Sequence, residues 1–299
     1  MSPSRKREAV EHLQEKFEAS ERRACETVHQ PRSTQRYEPQ PRDDEQRLVA
    51  RMLELARERP RFGYRRIAAL LRAEGWRVNF KRVYRLWRRE GLKVPKKVRK
   101  RRGLGVSANA CHVRRAEHKD HVWTWDFVFD RTRSGTTLKW LSIVDEHTRE
   151  CLALKVARSI TSEDVIDTLA ELFAIRGVPA QVRSDNGPEF VAMAIRRWLG
   201  QTGVETLYIE PGSPWENGYA ESFHSRYRDE FLNVNEFGDL REARLLTRAW
   251  KEDYNHVRPH SSLDYQTPAA FAIGCANSVR PTASLRPHSR SMLEPLPIP

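Results

Sequence analysis

Apolar residues recur at helical spacing through the first third of the chain and switch to strand-like alternation near residue 121. Val10, Leu13 and Phe17 share one face of a first predicted helix. Ser20, just before Glu21, Arg22 and Arg23, is placed to cap a second. Beyond the break at Gln30 and Pro31, residues 32–37 (RSTQRY) predict a short basic third helix. This order in residues 1–40 suits a helix-turn-helix and a plain helical hairpin equally well. Leu48, Met52 and Leu55 then mark a helix over 44–59, ended by Pro60. Ile67, Leu70 and Leu71 mark another that stops at Gly75. Asn79 can cap a third, whose apolar stripe is Phe80, Val83 and Trp87. Residues 41–95 thus predict a three-helix module.

From His121 the pattern is β-rich. Segments 121–130, 137–147 and 150–159 read as three successive strands, joined by short turns such as Ser134-Gly135. A helix carrying Val165, Leu169, Leu172 and Phe173 follows, then a short strand that ends at Asp185. Another helix (189–203), a strand (204–209), a Gly-containing loop and two further helices (219–231 and 240–255) complete the pattern. Three strands followed by alternating helix and strand predict an α/β fold over 119–276, a mixed sheet flanked by helices. Residues 277–299 are rich in Pro, Ser and Arg, lack periodicity, and are expected to be disordered.

Charge narrows the partner. Lys and Arg number 53 against 40 acidic residues, a formal net charge of +13, which favours a polyanion such as nucleic acid. The cations are not spread evenly. Lys81, Arg82, Arg85, Arg88 and Arg89 occupy the polar faces of the helix that starts at Asn79, which suits either a major groove or a solvated surface. Lys96, Lys97, Arg99, Lys100, Arg101 and Arg102 then form a run without an acid, within a linker expected over 96–118. The four cysteines are far apart, with no CxxC or histidine pair at zinc-ligand spacing. No apolar run approaches the ~20 residues of a membrane helix. A reducing cytoplasm and no membrane association are the expectation.

Three acids carry the candidate chemistry. Asp126 sits in the first strand between Trp125 and Phe127, where a charge is costly to bury unless it is paired or binds metal. Asp185 ends a strand, and Glu221 lies on a helix beyond a glycine-containing loop. Carboxylates on separate elements of one sheet–helix layer can hold two hard cations for phosphoryl transfer. Spacing alone barely separates Asp126 from Asp130 and Asp145; Glu146, Glu216 and Glu230 are further competitors.

Read together, WTWDFVFD, RSDNGPEF, SPWENGYAESFHSRYRDEF and YNHVRPHSSLDYQTPAAF resemble the integrase-type DDE transposases. The likeness is to the second-frame catalytic product of insertion-sequence family three. Thirty-five residues separate Asp185 from Glu221, as is typical of that superfamily. The resemblance implies an RNase H-like sheet, with Asp126, Asp185 and Glu221 as catalytic and metal-binding acids. It implies Arg228, two helical turns beyond Glu221, as a phosphate-holding residue. Asn186, Gly187 and Asn217 become positioning residues, and Asp145 is not one of the metal-binding three. It further implies two Mg²⁺ ions, with Mn²⁺ as a substitute, and a homo-multimer on DNA at a bacterial nucleoid. Terminal inverted repeats and target DNA would be the substrates. In the family a first-frame product supplies a further helix-turn-helix and a leucine zipper, and is an expected partner, since no sustained heptad occurs here. Two other readings stay open: a nuclease that only hydrolyses, and a non-catalytic DNA-binding regulator.

Overall fold

Side-chain caps decide where several helices begin. The Ser20 hydroxyl accepts from the Arg23 backbone N–H at 3.4 Å and starts α2 (Glu21–Thr27), and the Asn79 side chain accepts from Arg82 N at 2.7 Å and starts α6 (Phe80–Arg89). The computed structural model describes residues 3–37, 43–94, 115–184, 189–208 and 218–278. The chain divides into two units, Met1–Leu55 and Ala56–Pro299.

In the first unit α1 (Pro3–Phe17) and α2 pack around Val10, Ala24 and Cys25, and the short α3 (Arg32–Gln35) follows. Arg7 donates to the Thr34 carbonyl at 2.8 Å, and Arg32 and Arg36 both reach Glu21. The three predicted short helices are present. α4 (Glu45–Glu58) crosses the division between the units and buries Leu48, Met52 and Leu55.

The second unit continues with α5 (Tyr64–Ala73), which buries Ile67, Leu70 and Leu71. On α6 the buried stripe is Val83, Leu86 and Trp87. Phe80, expected in that stripe, is half-buried instead, with the Arg72 guanidinium over its ring at 4.1 Å and the Tyr265 ring at 5.3 Å. A flat aromatic at a helix start satisfies a cation as readily as a core, and spacing does not distinguish the two.

The sheet holds β1 (Val122–Arg131), β2 (Thr137–Asp145), β3 (Cys151–Ala157), β4 (Gln181–Ser184) and β5 (Glu205–Tyr208), in the order β3-β2-β1-β4-β5. β1, β2 and β3 pair antiparallel as a meander, while β4 and β5 continue the sheet parallel to β1. Their connections are α7 (Ser162–Arg176), opened by a Thr161–Asp164 capping box, and α8 (Glu189–Thr202). This is the expected RNase H-like mixed sheet.

Strand alternation gives each face its own core. Trp123 and Trp125 point to the face covered by α7 and α8, packing with Leu169, Ile195 and Leu199. Val128 and Trp140 point to the other, covered by α9 (Gly218–Glu230) and α10 (Leu240–His256), with Phe223, Tyr227 and Tyr254. Trp140 Nε1 is satisfied by Thr247 at 2.9 Å. On β3, where the ladder to β2 shifts register between Ile143 and Val144, the Asn255 side chain accepts from Cys151 N at 2.9 Å and donates to Cys151 O at 3.0 Å. An α10 side chain thus does the work of a missing strand partner.

α11 (Pro268–Ser278) is not anticipated by the apolar pattern. Its small residues run without the polar face that marks an amphipathic helix. The tail beyond Ser278 and most of the expected basic linker lie outside the described residues.

Candidate active site

Asp126 lies at the centre of the middle strand, on the face that α9 covers. Alternation from the inward Val128 puts it there, opposite Ser142 on β2. Its side chain is 27 % exposed. Oδ1 accepts from the Phe127 backbone N–H at 2.6 Å, and Oδ2 lies 3.3 Å from His224 Nδ1. His224 Nε2 is 2.8 Å from the Ser142 hydroxyl, which is itself 3.1 Å from the Asp126 carbonyl. A closed ring of contacts therefore ties Asp126 to β2 and to α9.

Glu221 stands in the first turn of α9 and is exposed. His224 is one turn further along the same face, so the helix face that carries Glu221 is the one that meets Asp126. Burial and then the Arg228 guanidinium push His224 down to about 4. The imidazole is neutral at physiological pH, one ring nitrogen donating and the other accepting.

β4 ends at Ser184, whose register partner is Trp125, the residue before Asp126. Asp185 comes next in the chain; it lies outside the described residues, as do Asn186, Gly187 and Asn217. Arg228 is exposed and on the Glu221 face. On α6, Lys81, Arg85, Arg88 and Arg89 are exposed and Arg82 is half-buried. Lys96, Lys97, Arg99, Lys100, Arg101 and Arg102 are outside the described residues.

The competing acids find structural work. Asp145 accepts from three backbone N–H groups, those of Asp120 (2.9 Å), His147 (2.8 Å) and Thr148 (3.4 Å), and closes the turn after β2. Burial nevertheless raises its pKa, against those hydrogen bonds. Asp130 accepts from the next residue's N–H at 2.8 Å. Glu146 is buried 2.9 Å from Arg183, and desolvation lifts it to about 7 despite that cation. Glu230 is clamped by Arg258 (2.6 and 2.7 Å) and Arg66 (2.7 Å). Burial would raise its pKa, but Arg258 and then Arg66 outweigh burial and hold it below the usual range.

His224 and Ser142 are the site residues that sequence reasoning missed. Ser142 could have been found only through the β1–β2 register. His224 carries a weak signal, a polar side chain one turn from Glu221 on the same helical face.

Residues 116–214 and 202–268 each match an integrase core domain family, and 43–102 match a family described as an HTH-like domain. The chain is 42 % identical over 260 residues to the "Insertion element IS407 uncharacterized 31.7 kDa protein" of Burkholderia multivorans, covering 87 % of this chain and 93 % of that one. It is 28 % identical over 246 residues to "Transposase InsD for insertion element IS2A/D/F/H/I/K" of Escherichia coli, covering 76 % and 79 %. Among solved structures, a simian T-cell lymphotropic virus intasome in complex with PP2A regulatory subunit B56 gamma superposes with a TM-score of 0.46 at 15 % identity, covering 81 % of this chain and 80 % of that one. No described helix is long and apolar enough to cross a membrane. The IS407 relative, together with the two integrase core matches, settles the kinship: the chain belongs to insertion-sequence family three as its second-frame product, a bacterial DDE-type transposase and DNA polynucleotidyl transferase.

Proposed function

We propose that Asp126, Asp185 and Glu221 are the catalytic acids, and that they hold two divalent cations, Mg²⁺ with Mn²⁺ as a substitute. The observation that carries this reading is the ring joining Asp126 to the Glu221 helix: a part-exposed carboxylate on the middle strand, locked through His224 to the face that presents Glu221. The donor set fits, since carboxylate oxygens are the ligands hard cations require. When bound, such cations offset charge on the attacking and leaving oxygens of an in-line displacement.

The chain's own part is placement. His224, itself held by Ser142, and the Phe127 N–H fix the rotation of the Asp126 side chain, so that little reorganisation accompanies the reaction. Arg228, on the same face, holds a phosphate of the bound strand, and Asn186, Gly187 and Asn217 position the loops that flank it. Recognition of the terminal inverted repeats falls to the helical modules of residues 1–40 and 41–95 and to the linker 96–118. There Lys81, Arg82, Arg85, Arg88, Arg89, Lys96, Lys97, Arg99, Lys100, Arg101 and Arg102 neutralise phosphates. Residues 119–276 form the catalytic core. It cuts one strand and then directs the freed 3′-OH at a second phosphodiester. The working form is a multimer that pairs two ends, joined by the first-frame product of the element, at the nucleoid.

Strand transfer from a pre-cut 3′-OH end, in Mg²⁺, tests this reading. Joined products are expected from the wild type and none from Asp126→Asn, Asp185→Asn or Glu221→Gln. Cleavage without joining would leave only a hydrolytic nuclease, and binding with neither would leave a regulator.

A further inference from the structure

Beside the acids lies a second feature of the second unit, a cavity of ≈ 360 Å³. It is walled by the first turn of α9, the turn after β2, α5 and the segment that follows α10. Four arginines face it, Arg66, Arg149, Arg226 and Arg258. Glu230 answers two of them, Arg66 and Arg258. The other two are left in excess.

Arg149 is held in an unfavourable way. Its φ of +65° is one that a side-chain-bearing residue rarely adopts, and its guanidinium is stacked 4.1 Å from the Tyr219 ring. Its Nε is sealed from solvent with no hydrogen-bond partner among the described residues. Desolvation lowers its pKa, with the nearby tyrosines and carboxylates opposing. The carboxylates within electrostatic reach have other work, because Glu146 faces Arg183 at 2.9 Å and Asp145 is spent on backbone N–H groups. Arg226 is exposed and makes no ion pair among the described residues. The cations are close enough together to repel: Arg258, Arg66, Arg149 and Arg226 all add to burial in pushing His260 down to about 2. The hydroxyl-bearing residues Ser222, Ser261 and Ser262 complete the wall.

Forked guanidinium donors beside hydroxyls match a tetrahedral oxyanion, and a strained, desolvated arginine is a cost to folding that packing alone does not explain. We propose that this cavity binds a phosphate group, and that in the working enzyme it is a backbone phosphodiester of the DNA strand being processed. The DNA assignment rests on the function proposed above. Gly218, Tyr219 and Ser222, on the cavity wall, belong to the same helical turns as Glu221, so a strand seated here lies within a turn of that acid.

The test uses the full chain without divalent metal, so that no chemistry is required. Arg149→Met and Arg226→Gln are compared with the wild type for binding of a labelled single-stranded oligonucleotide at several salt concentrations. Melting is followed with and without inorganic pyrophosphate. Each variant is expected to bind the oligonucleotide about tenfold more weakly, with a salt slope reduced by ~0.7. Arg149→Met should melt no lower than the wild type, and pyrophosphate should stabilise the wild type alone. Unchanged affinity and slope in both variants, without pyrophosphate protection of the wild type, overturn the proposal. Pyrophosphate protection confined to the wild type, with oligonucleotide binding unaffected, would assign the cavity to a free phosphate and overturn the DNA assignment. Loss of binding in the variants stands even if strand transfer is never observed, so the two readings fail separately.

Discussion

The two ends of α9 treat their glutamates in opposite ways. Glu221, in the first turn, is exposed and faces the strand that carries Asp126. Glu230, at the last residue, has a side chain only 5 % exposed and shares its oxygens between Arg66 and Arg258. One helix thus supplies a carboxylate whose charge is available to a ligand and another whose charge is consumed by the fold. Sequence spacing cannot tell them apart. The partners can, because Glu230 is met by cations from α5 and from beyond α10, whereas Glu221 makes no ion pair among the described residues.

The contrast can be broken first at the buried end. Glu230→Gln leaves Arg66 and Arg258 without their counter-charge in a desolvated site, and should cost about 3–5 kcal/mol. Thermal melting should show a fall on the order of 10 °C, with strand-transfer activity retained at low temperature. A variant that melts normally would show the clamp to be dispensable.

At the exposed end the effect should move from stability to chemistry. Glu221→Gln conserves volume and helix propensity, so melting and DNA affinity should be unchanged. The rate of Mg²⁺-dependent cleavage should fall by at least ~10²–10³-fold. Normal turnover by this variant would remove Glu221 from the site.

Between the two ends, His224 sharpens the comparison. His224→Ala frees the Asp126 carboxylate from its tie to α9 and should raise the Mg²⁺ concentration for half-maximal rate by about 10–100-fold. His224→Asn, which can still hydrogen-bond Ser142, should lose less. Equal defects in the two variants would mean that bulk, rather than hydrogen bonding, is what matters there.

Acid should act on the buried end more gently. His260 accepts from Arg258 at 3.0 Å and must stay neutral, with burial and then Arg258 pushing it to about 2. The unfolded chain takes up a proton near pH 6.5 that the folded chain refuses. The stability is therefore complete above that pH and lost as pH falls below it, about 1–2 kcal/mol by pH 5. His260→Gln should flatten that decline; an unchanged pH profile would assign it to other groups.

Much of this was legible before the fold was known. Asn79 and Ser20 announced helix starts, and the alternation around Asp126 placed it on a strand. The three acids were singled out because motifs on four separate segments agreed, and their role is the one proposed above. What stayed hidden depends on partners distant in sequence. Ser142 meets His224 across 82 positions, and Arg66 meets Glu230 across 164. No local period encodes such pairs. Phe80 was misplaced because an aromatic at helical spacing suits a core and a cation equally. α11 was missed because small residues carry no polar face to read.

The segment from Asn255 to His260 has a consequence for how copies of this element are judged. Asn255 closes the β3 edge, Arg258 neutralises Glu230, and His260 accepts from Arg258. A reading frame interrupted between α9 and Asn255 would still encode every acid of the proposed triad. Its product would lack the brace behind them and carry an unanswered charge at Glu230. Among related copies scattered through a genome, an intact frame through residue 260 is therefore a stricter mark of a working gene than the three acids themselves.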